Sequence, residues 1–290
     1  MILRRQPRPV LRLFVESVWA TDETDSPRGA VPSREHVLPT GLMHLVFRLG
    51  GDRLRLFRDA EDTTGRIVGD ALVGGARASY YIRESSGALY SVGAQLRPGA
   101  AQALFGLPAD ELADHHTSLG DLWGQTAASI HDRLSETDCS ESRLDLLEAI
   151  LAAKLPAVRG LHPAVAGALQ QFSQMSSVQD VVRHSGYSHR TFISLFTRSV
   201  GLTPKRYCRV LRFRRALERS SAGPPALIDL AGAAGYSDQA HFTREFREFA
   251  GMTPSEYRRA APRFAHHVAV GSDGGQTGVR PGSDSSLTPV

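Results

Sequence analysis

Residues 177–259 contain the same sequence pattern twice. The first copy has Gly-Tyr-Ser at 186–188 and Thr-Pro at 203–204, and the second copy has Gly-Tyr-Ser at 235–237 and Thr-Pro at 253–254. The triplets are 49 positions apart and the Thr-Pro pairs are 50 positions apart. A repeat with this regular period, changed by one inserted residue, indicates that one supersecondary unit is used twice.

Each copy has the signals of two short helices joined by a tight turn. In the first copy Ser177 is the predicted cap of a short helix, and Gly186 supplies the backbone freedom that the turn requires. Ser188 then caps a second helix with apolar residues at helical spacing, and Gly201 ends it. This order is that of a helix-turn-helix unit. The expected core aromatic residues of the two copies are Tyr187, Phe192, Phe196, Tyr236, Phe242 and Phe246.

The second copy repeats this order, with Ser237 as the predicted cap of its second helix and Gly251 as the end. The pattern therefore predicts two helix-turn-helix units, at residues 177–201 and 226–251. Residues 204–221 lie between them and have one apolar and one basic face, which predicts a single connecting helix. Two helices that enter the same face of B-DNA must lie about 34 Å apart, and a rigid connector can hold them at such a separation.

Positive charge is concentrated in the duplicated part of the chain. Residues 160–259 contain 14 Lys and Arg against 7 Asp and Glu, a net charge of +7, whereas the whole chain has a net charge of +4. The rest of the chain therefore carries a net charge of −3. This division indicates that the duplicated part faces a polyanion. Arginine supplies nearly all of the positive charge throughout the chain, so its clustering, and not its abundance, supports this inference.

The first half of the chain has a different pattern. Residues 1–97 contain short segments of alternating apolar and less apolar residues, for example at 43–49 and 90–96, separated by turn residues. This pattern predicts an antiparallel sandwich or small barrel. Helical signals follow, with Ser118 and Asp121 as a predicted capping box. The expected fold class is α+β, with a β-rich barrel or sandwich and trailing helices before an all-α double helix-turn-helix domain.

The domain organisation follows from these patterns. We expect an N-terminal domain at 1–157, β-rich as far as residue 97 and helical over 98–157, and a DNA-binding domain at 158–262. Residues 263–290 are rich in small and polar residues and have few large apolar side chains. This composition predicts a disordered tail, because such a segment buries too little surface to offset its ordering entropy.

Membrane insertion and a disulfide framework lack support in the sequence. No apolar run approaches the roughly 18 residues that span a bilayer, and the N-terminal residues lack the apolar region of a signal peptide. Cys139 and Cys208 are far apart, and neither belongs to a Cys-x-x-Cys pair. We therefore expect a cytoplasmic protein with no membrane association, since two isolated cysteines are typical of a reducing compartment.

Candidate catalytic and metal-binding residues are few. The histidines that invite comparison with a metal site are His36, His44, His115 and His116. They include no His-x-His pair with a nearby carboxylate, and we expect His115 and His116 to lie in a solvated turn. Neither cysteine has the histidine partner or the cationic surroundings that nucleophilic catalysis requires. The sequence therefore predicts no enzyme activity, no cofactor and no metal.

Two segments of the second copy carry a family signature. They are Gly-Tyr-Ser-Asp-Gln-Ala-His-Phe-Thr-Arg-Glu-Phe at 235–246 and Gly-Met-Thr-Pro-Ser-Glu-Tyr-Arg-Arg at 251–259. Through them the duplicated part resembles the AraC/XylS family of bacterial transcription regulators. The resemblance implies two helix-turn-helix units that read consecutive major-groove segments of DNA. The N-terminal half resembles a regulator-associated domain of uncharacterised ligand, through Leu-Pro-Thr-Gly at 38–41 and Arg-Pro-Gly-Ala-Ala at 97–101.

The second helix of each unit has a face opposite its apolar residues that supplies candidate DNA contacts. In the first unit, Arg190 suits a bidentate contact to guanine or a phosphate contact, and Ile193 either touches a thymine methyl group or extends the core. In the second unit, Gln239 suits adenine, and Arg244 is assigned to a phosphate in preference to a base.

Basic residues of the connecting helix are expected to add an electrostatic footprint for the phosphate backbone. They are Lys205, Arg206, Arg209 and Arg212. The complete set of predicted DNA-binding residues is His189, Arg190, Ile193, Ser194, Arg198, Lys205, Arg206, Asp238, Gln239, Ala240, Thr243 and Arg244.

Together these patterns predict a sequence-specific DNA-binding transcriptional regulator, activator or repressor, whose N-terminal domain senses a ligand or a partner. One alternative keeps DNA binding but makes the N-terminal half only a dimerisation platform. A less favoured alternative is a DNA-repair methyltransferase fused to the DNA-binding module, which requires a zinc-held cysteine that the two-cysteine count does not support. Double-stranded DNA is the expected partner, and RNA polymerase, a small-molecule effector and a second copy of the chain are left open.

Overall fold

The N-terminal part of the chain forms two antiparallel sheets. The computed structural model describes residues 2–22, 33–50, 53–85, 90–156, 160–221, 226–262 and 264–270. The strands are β1 (Ile2–Arg5), β2 (Val15–Asp22), β3 (Ser33–Val37), β4 (Met43–Arg48), β5 (Leu54–Phe57), β6 (Arg66–Gly69), β7 (Ala71–Gly74), β8 (Tyr81–Ser85), β9 (Tyr90–Leu96), β10 (His116–Ser118) and β11 (His267–Ala269). One sheet has the order β1-β2-β9-β4-β7-β10, and the other has the order β11-β3-β8-β5-β6.

Alternation along the strands decides which side chains enter the core. On β4, Leu45 and Phe47 are fully buried, and they pair with Ala94 and Val92 of β9, which are also fully buried. Successive side chains of a strand point to opposite faces, so residues two apart share the buried face. The alternating segments predicted at 43–49 and 90–96 are therefore strands, and the β-rich first part of the α+β fold class is confirmed.

The α-helices lie between residues 100 and 260, after most of the strands. They are α1 (Ala100–Phe105), α2 (Ala109–Leu112), α3 (Leu119–Trp123), α4 (Gln125–Ser135), α5 (Ser140–Lys154), α6 (Pro163–Ser173), α7 (Val178–Ser185), α8 (His189–Val200), α9 (Pro204–Ser221), α10 (Leu227–Ala234), α11 (Gln239–Ala250) and α12 (Pro254–Ala260). A short 3-10 helix precedes β2 at Pro9–Leu11. Within the described ranges, no helix is both long and apolar enough to cross a membrane.

One hydrophobic core runs through both halves of the chain. It includes Phe47 of the first sheet, Leu104 of α1, Phe172 of α6, and Phe196 and Phe246 of the repeat. The expected boundary between residues 157 and 158 lies outside the described residues. The two halves of the chain are thus packed against each other through shared buried residues.

Two strands lie where the sequence predicts other structure. β10 interrupts the stretch predicted to be helical over 98–157, and pairs with β7 through His116 opposite Gly74. β11 lies in the segment 263–290 that is predicted to be disordered, and pairs with β3. Both strands have only three residues, so neither has enough alternation to be identified locally.

Residues 264–270, which we call the C-terminal strap, return from α12 to the N-terminal sheet. The Tyr257 hydroxyl donates to the carbonyl of Ala265 at 3.0 Å, and the Val270 N–H donates to the carbonyl of Arg34 at 2.7 Å. Val268 is almost fully buried. The strap therefore differs from the predicted disorder because strand pairing and one buried side chain hold it, and residues 271–290 of the predicted tail lie outside the described residues.

The side chain of Glu35 is a further attachment of the strap. Its carboxylate contacts Nδ1 of His267 at 3.2 Å and also pairs with Arg83. Burial by itself raises the pKa of Glu35, but the hydrogen bond with His267 and the charge of Arg83 outweigh burial and lower the pKa from 4.5 to about 2. The ionised carboxylate therefore stabilises the folded state at pH values above its unfolded pKa, and this contribution is lost as the pH falls toward 2.

We expect Glu35→Gln to lower the free energy of unfolding near neutral pH by on the order of 2 kcal/mol. The difference from the wild-type chain should shrink as the pH falls from about 4.5 to about 2, because the wild-type carboxylate then becomes protonated. Urea unfolding of both chains at a series of pH values measures this difference in the free energy of unfolding. Glu84→Gln is the matched control, because this carboxylate lies on β8, next to Arg83 in sequence, and pairs with Arg55 instead of the strap. A Glu35→Gln difference that is independent of pH would contradict the assignment.

Candidate nucleic-acid interface

The first helix-turn-helix unit consists of α7, a turn and α8. Ser177 caps α7 by accepting a hydrogen bond from the N–H of Asp180 at 3.1 Å. Gly186 ends α7 with φ +75°, a left-handed conformation that favours glycine. Ser188 caps α8 by accepting a hydrogen bond from the N–H of Thr191 at 3.3 Å. These contacts fix the angle at which α8 leaves the turn, and both caps are those expected from the sequence.

The second unit repeats this arrangement with a different cap. α10 ends at Gly235 with φ +87°. α11 is capped by Asp238, whose carboxylate accepts a hydrogen bond from the N–H of His241 at 2.7 Å and whose pKa is held below its usual value by that bond. Ser237, the cap expected from the sequence, instead donates to Asp238 at 3.0 Å. A carboxylate suits the position because the N-terminus of a helix carries partial positive charge.

The equivalent tyrosines of the two copies occupy different environments. Tyr236 is buried and packs on Phe242 with ring centroids 5.1 Å apart, and Arg212 of α9 lies over its ring. Tyr187 is 41% exposed and meets His162 of the α6 N-terminus edge-on. The prediction that Tyr187 is a core residue is therefore wrong, because the two turns meet different neighbours. The remaining expected core aromatic residues, Phe192, Phe196, Phe242 and Phe246, are all buried.

One face of α8 is open to solvent. His189, Arg190, Ser194 and Arg198 are exposed, and Arg190 has no hydrogen-bond or ion-pair partner among the described residues. Ile193 is half-buried and packs against the hydrophobic core. The structure thus gives Ile193 a packing role, and leaves the four polar residues free to meet a ligand in the solvent.

The corresponding face of α11 borders an open groove of about 550 Å³. Gln239, Ala240 and Arg244 are exposed, while the half-buried Thr243 donates its hydroxyl to the carbonyl of Gln239 at 2.9 Å. Arg247, which is absent from the predicted set, is exposed and also lines this groove. Its position one helical turn beyond Thr243 and Arg244 is the sequence signal that could have identified it.

Two of the predicted basic residues lie in the first turn of α9. Lys205 is exposed, whereas Nη1 of Arg206 lies 3.3 Å from Oδ2 of Asp114 in the N-terminal domain. An ion pair this exposed contributes no more than about 1 kcal/mol. Asp114 therefore occupies Arg206 in this structure, and any other anion would have to displace it.

The other two predicted basic residues, Arg209 and Arg212, face the second helix-turn-helix unit. Nε of Arg209 lies 2.7 Å from the carboxylate of Glu245, and Arg212 lies 3.5 Å from the same oxygen. Arg209 also pairs with Glu248. Since Glu245 is almost fully buried, these pairs fix α9 to α11. The expectation that Arg209 and Arg212 face the phosphate backbone is therefore wrong, because the acidic partners lie 33 or more positions away and the sequence pattern of α9 does not reveal them.

Both helix-turn-helix units contact one segment of the N-terminal domain, residues 76–80 between β7 and β8, which we call the bridging segment. At Gly201, which ends α8, an added Cβ would lie 3.1 Å from the Cβ of Ala76. At Gly251, which ends α11, an added Cβ would lie 2.5 Å from Cζ of Tyr80. Equivalent glycines of the two copies therefore meet the two ends of the same segment.

A matched pair of glycine substitutions measures the docking of the second unit. Gly186 and Gly251 have φ values of +75° and +72°, but an added Cβ at Gly186 meets nothing within 4 Å. We expect Gly186→Ala to cost about 1–2 kcal/mol from backbone strain alone. Gly251→Ala should cost at least about 1 kcal/mol more, since the methyl group also displaces Tyr80. Urea unfolding checks both variants, and equal costs would show that the contact with Tyr80 has no energetic weight.

The histidines of the N-terminal half do not form the solvated turn expected at 115–116. His115 is exposed, but His116 lies in β10 and is buried. Strand pairing with β7 is what carries His116 inward. Within the part of the chain that the structure describes, no group of three or more His, Cys, Asp or Glu side chains is placed to hold a metal ion.

Comparison with known proteins identifies the helical region. A family model described as a helix-turn-helix domain matches residues 181–260, and a second model, a domain of unknown function (DUF6597), matches residues 3–118. The melibiose operon regulatory protein of Escherichia coli strain K12 is 26% identical over 90 residues, which are 31% of this chain and 30% of that protein. The virulence regulon transcriptional activator VirF of Yersinia enterocolitica is 30% identical over 109 residues, which are 36% of this chain and 40% of that protein.

Among solved structures, apo ToxT K231A from Vibrio cholerae strain SCE256 is 12% identical at a TM-score of 0.43, covering 88% of this chain and 99% of that chain. The chain spans between 30% and 40% of the length of the two curated relatives that it matches. Residues 181–260 are a double helix-turn-helix domain. This domain is of the AraC type, which confirms the family predicted from its sequence.

Proposed function

We propose that this protein is a transcriptional regulator that binds double-stranded DNA sequence-specifically through α8 and α11. The observation that carries the proposal is the repetition of one geometry. Each of these helices is capped by a polar side chain, ends at a left-handed glycine, buries at least two phenylalanines and presents polar side chains to solvent. α9 joins the two units, so that both helices can enter consecutive major-groove segments.

Base readout is assigned to the exposed side chains nearest the N-terminal ends of the two helices. Arg190 and Gln239 are the principal candidates, because a free guanidinium fits guanine and a carboxamide fits adenine in the major groove. Arg198, Lys205, Arg244 and Arg247 are assigned to phosphates, which position the helices without specifying sequence. Asp238 acts at the interface as the cap of α11.

The N-terminal domain is proposed to sense a ligand or a partner. Its support is the contact of the bridging segment with both helix-turn-helix units, through which a change in the N-terminal domain reaches both reading helices. A purely dimerising N-terminal domain is the alternative. RNA polymerase and a second copy of the chain are further proposed partners, and the cytoplasm is the proposed location.

We propose a regulator and not a DNA-repair methyltransferase. The latter requires an activated cysteine, and burial raises the pKa of Cys208 to about 11, so its thiol is protonated at neutral pH. Cys139 caps α5 and donates to the hydroxyl of Ser142 at 3.1 Å. The hydrogen bonds with Ser142 lower the pKa of Cys139. Among the described residues, however, Cys139 belongs to no group of three or more His, Cys, Asp or Glu side chains that could hold the zinc which such a repair protein requires.

Selection of bound duplexes from a random DNA pool tests the proposal. We expect an enriched site with two sub-motifs whose centres lie about 10 base pairs apart, one for each reading helix. The variant Gln239→Ala should relax one sub-motif and leave the other unchanged. Enrichment of a single sub-motif would limit base readout to one helix, and the absence of any enriched sequence would contradict sequence-specific binding.

A further inference from the structure

A buried arginine lies at the centre of the bridging segment. Arg77 is 8% exposed, and its guanidinium lies over the ring of Tyr81 at 4.3 Å. No carboxylate of the described residues forms an ion pair with Arg77. Asp114 acts on it only from beyond contact distance and pairs with Arg206 instead. A buried cation without a counter-charge is unfavourable, and buried arginines are almost always paired.

Two histidines flank the same position. His44 of β4 and His116 of β10 both lie opposite Gly74 of β7, so the three residues form a row on one face of the sheet. Gly74 leaves room for the imidazole rings, since an added Cβ there would lie 2.0 Å from Cε1 of His44. The ring centroids of His44 and His116 are 5.7 Å apart. Tyr81 completes the group, with its ring 4.6 Å from that of His116.

Burial lowers the pKa of both imidazoles, to about 3 for His44 and about 2 for His116. Both rings are therefore neutral at pH 7. Nearby Arg83 is already paired with Glu35. The guanidinium of Arg77 thus gives this group of side chains a net positive charge.

The hydrogen-bonding pattern leaves donors unused. Nη2 of Arg77 lies 3.2 Å from Nδ1 of His116. An arginine can only donate, so Nδ1 of the neutral ring accepts and the ring proton is on Nε2. Neither this Nε2 nor Nε of Arg77 has a hydrogen-bond partner among the described residues. The N–H groups at Nε of Arg77 and Nε2 of His116 are therefore buried beside an unpaired positive charge and lack an acceptor. The neighbouring side chains of His44 and Tyr81 are only half-buried.

We propose that Arg77 and His116, with His44 and Tyr81 beside them, bind the anionic group of a small molecule, a carboxylate or a phosphate. A guanidinium provides paired donors in the geometry that such oxygens require, and the bound anion would also satisfy Nε2 of His116. The site differs from the DNA interface in that it lies between strands of the N-terminal domain.

The position of the site connects it to both reading helices. Arg77 belongs to the bridging segment, whose first residue meets Gly201 and whose last residue meets Gly251. An anion that draws Arg77 toward it therefore acts on the segment that supports α8 and α11 together. This regulatory role rests on the proposed function, whereas anion binding itself does not.

The test is thermal unfolding of the full chain during titration with sodium acetate and, separately, sodium phosphate. For the wild-type chain we expect a saturating rise in melting temperature with one of these anions, of roughly 5 °C or more when the anion is in 100-fold excess over its Kd. A response to acetate alone identifies a carboxylate site, and a response to phosphate alone identifies a phosphate site. Arg77→Met should abolish the saturating rise, whereas Arg53→Met, which removes an exposed arginine, should keep it.

Two further variants guard against misfolding of Arg77→Met. Arg77→Lys keeps the charge but loses the paired donors, and His116→Asn alters the second donor, so each should weaken the anion response. Equal anion dependence in the wild-type chain and in the folded variants, or no saturating response of the wild-type chain to either anion, would overturn the site. DNA affinity measured with and without the active anion should differ at least about tenfold if the site is regulatory. Failure to bind any DNA would instead count against the proposed function and leave the unfolding result intact.

Discussion

Replacing Glu245 with alanine is expected to lower the free energy of unfolding by about 3–5 kcal/mol. The carboxylate is almost fully buried and holds Arg209 at 2.7 Å and Arg212 at 3.5 Å. Its removal leaves two partly buried guanidinium groups without this partner at the contact of α9 with α11. Urea unfolding of the full chain measures the loss.

Glu248 provides the matched control for this substitution. It lies three residues further along α11 and also pairs with Arg209, but its side chain is 55% exposed. Glu248→Ala removes the same charge and should cost less than about 1 kcal/mol, since exposed ion pairs contribute little. Similar losses for the two variants would show that burial of Glu245 is not what makes the interaction strong.

The double variant Arg190→Ala with Gln239→Ala should weaken binding to the selected DNA site by about 2–6 kcal/mol. Each residue is assigned one base, a good base contact is worth about 1–3 kcal/mol, and effects on separate helices are expected to add. Each single variant should relax the preference at its own sub-motif. Fluorescence titration with the selected site and with each single-base variant of it measures both effects.

A control separates base readout from general electrostatics. Arg53→Ala removes one exposed positive charge from the N-terminal domain and should leave DNA affinity and base preference unchanged. If Arg190→Ala instead weakens binding to every sequence equally and makes the salt dependence shallower, Arg190 contacts a phosphate. That result would remove guanine readout from the first helix.

The repeat allows most of the helical half to be predicted from sequence. Its helices are set by local signals, namely apolar residues at helical spacing and a glycine end, with a polar cap on α7, α8 and α11. All of these signals lie within a few positions of each other. The connecting helix at Pro204–Ser221 follows from the same kind of signal. The exposed faces of α8 and α11 follow from their apolar faces, because each is the opposite side of an amphipathic helix.

Contacts between distant parts of the chain account for what the sequence did not reveal. The ion pairs of Glu245 join α9 to α11, and the C-terminal strap joins residues after α12 to β3. The bridging segment reaches Gly201 and Gly251 from the N-terminal domain. None of these has a local pattern, since each depends on how separately predictable elements pack.

Arg77 illustrates the same difficulty at the level of a single site. In sequence it is one arginine among many, and nothing near it indicates burial. Only the pairing of β7 with β4 and β10 brings His44 and His116 beside it. The unpaired, buried charge of Arg77 can therefore be identified only when the register of β4, β7 and β10 is known.

Binding to DNA from the region upstream of its own gene, compared with scrambled DNA over a salt series, tests the central claim most directly. We predict a preference of about 10³-fold or more for the upstream DNA, with affinity falling steeply as salt rises, because basic side chains release counterions from the phosphates. Equal, weak binding to both DNAs would mean that this region lacks the site or that a ligand is needed first. The absence of any salt-dependent binding would contradict a DNA-binding regulator.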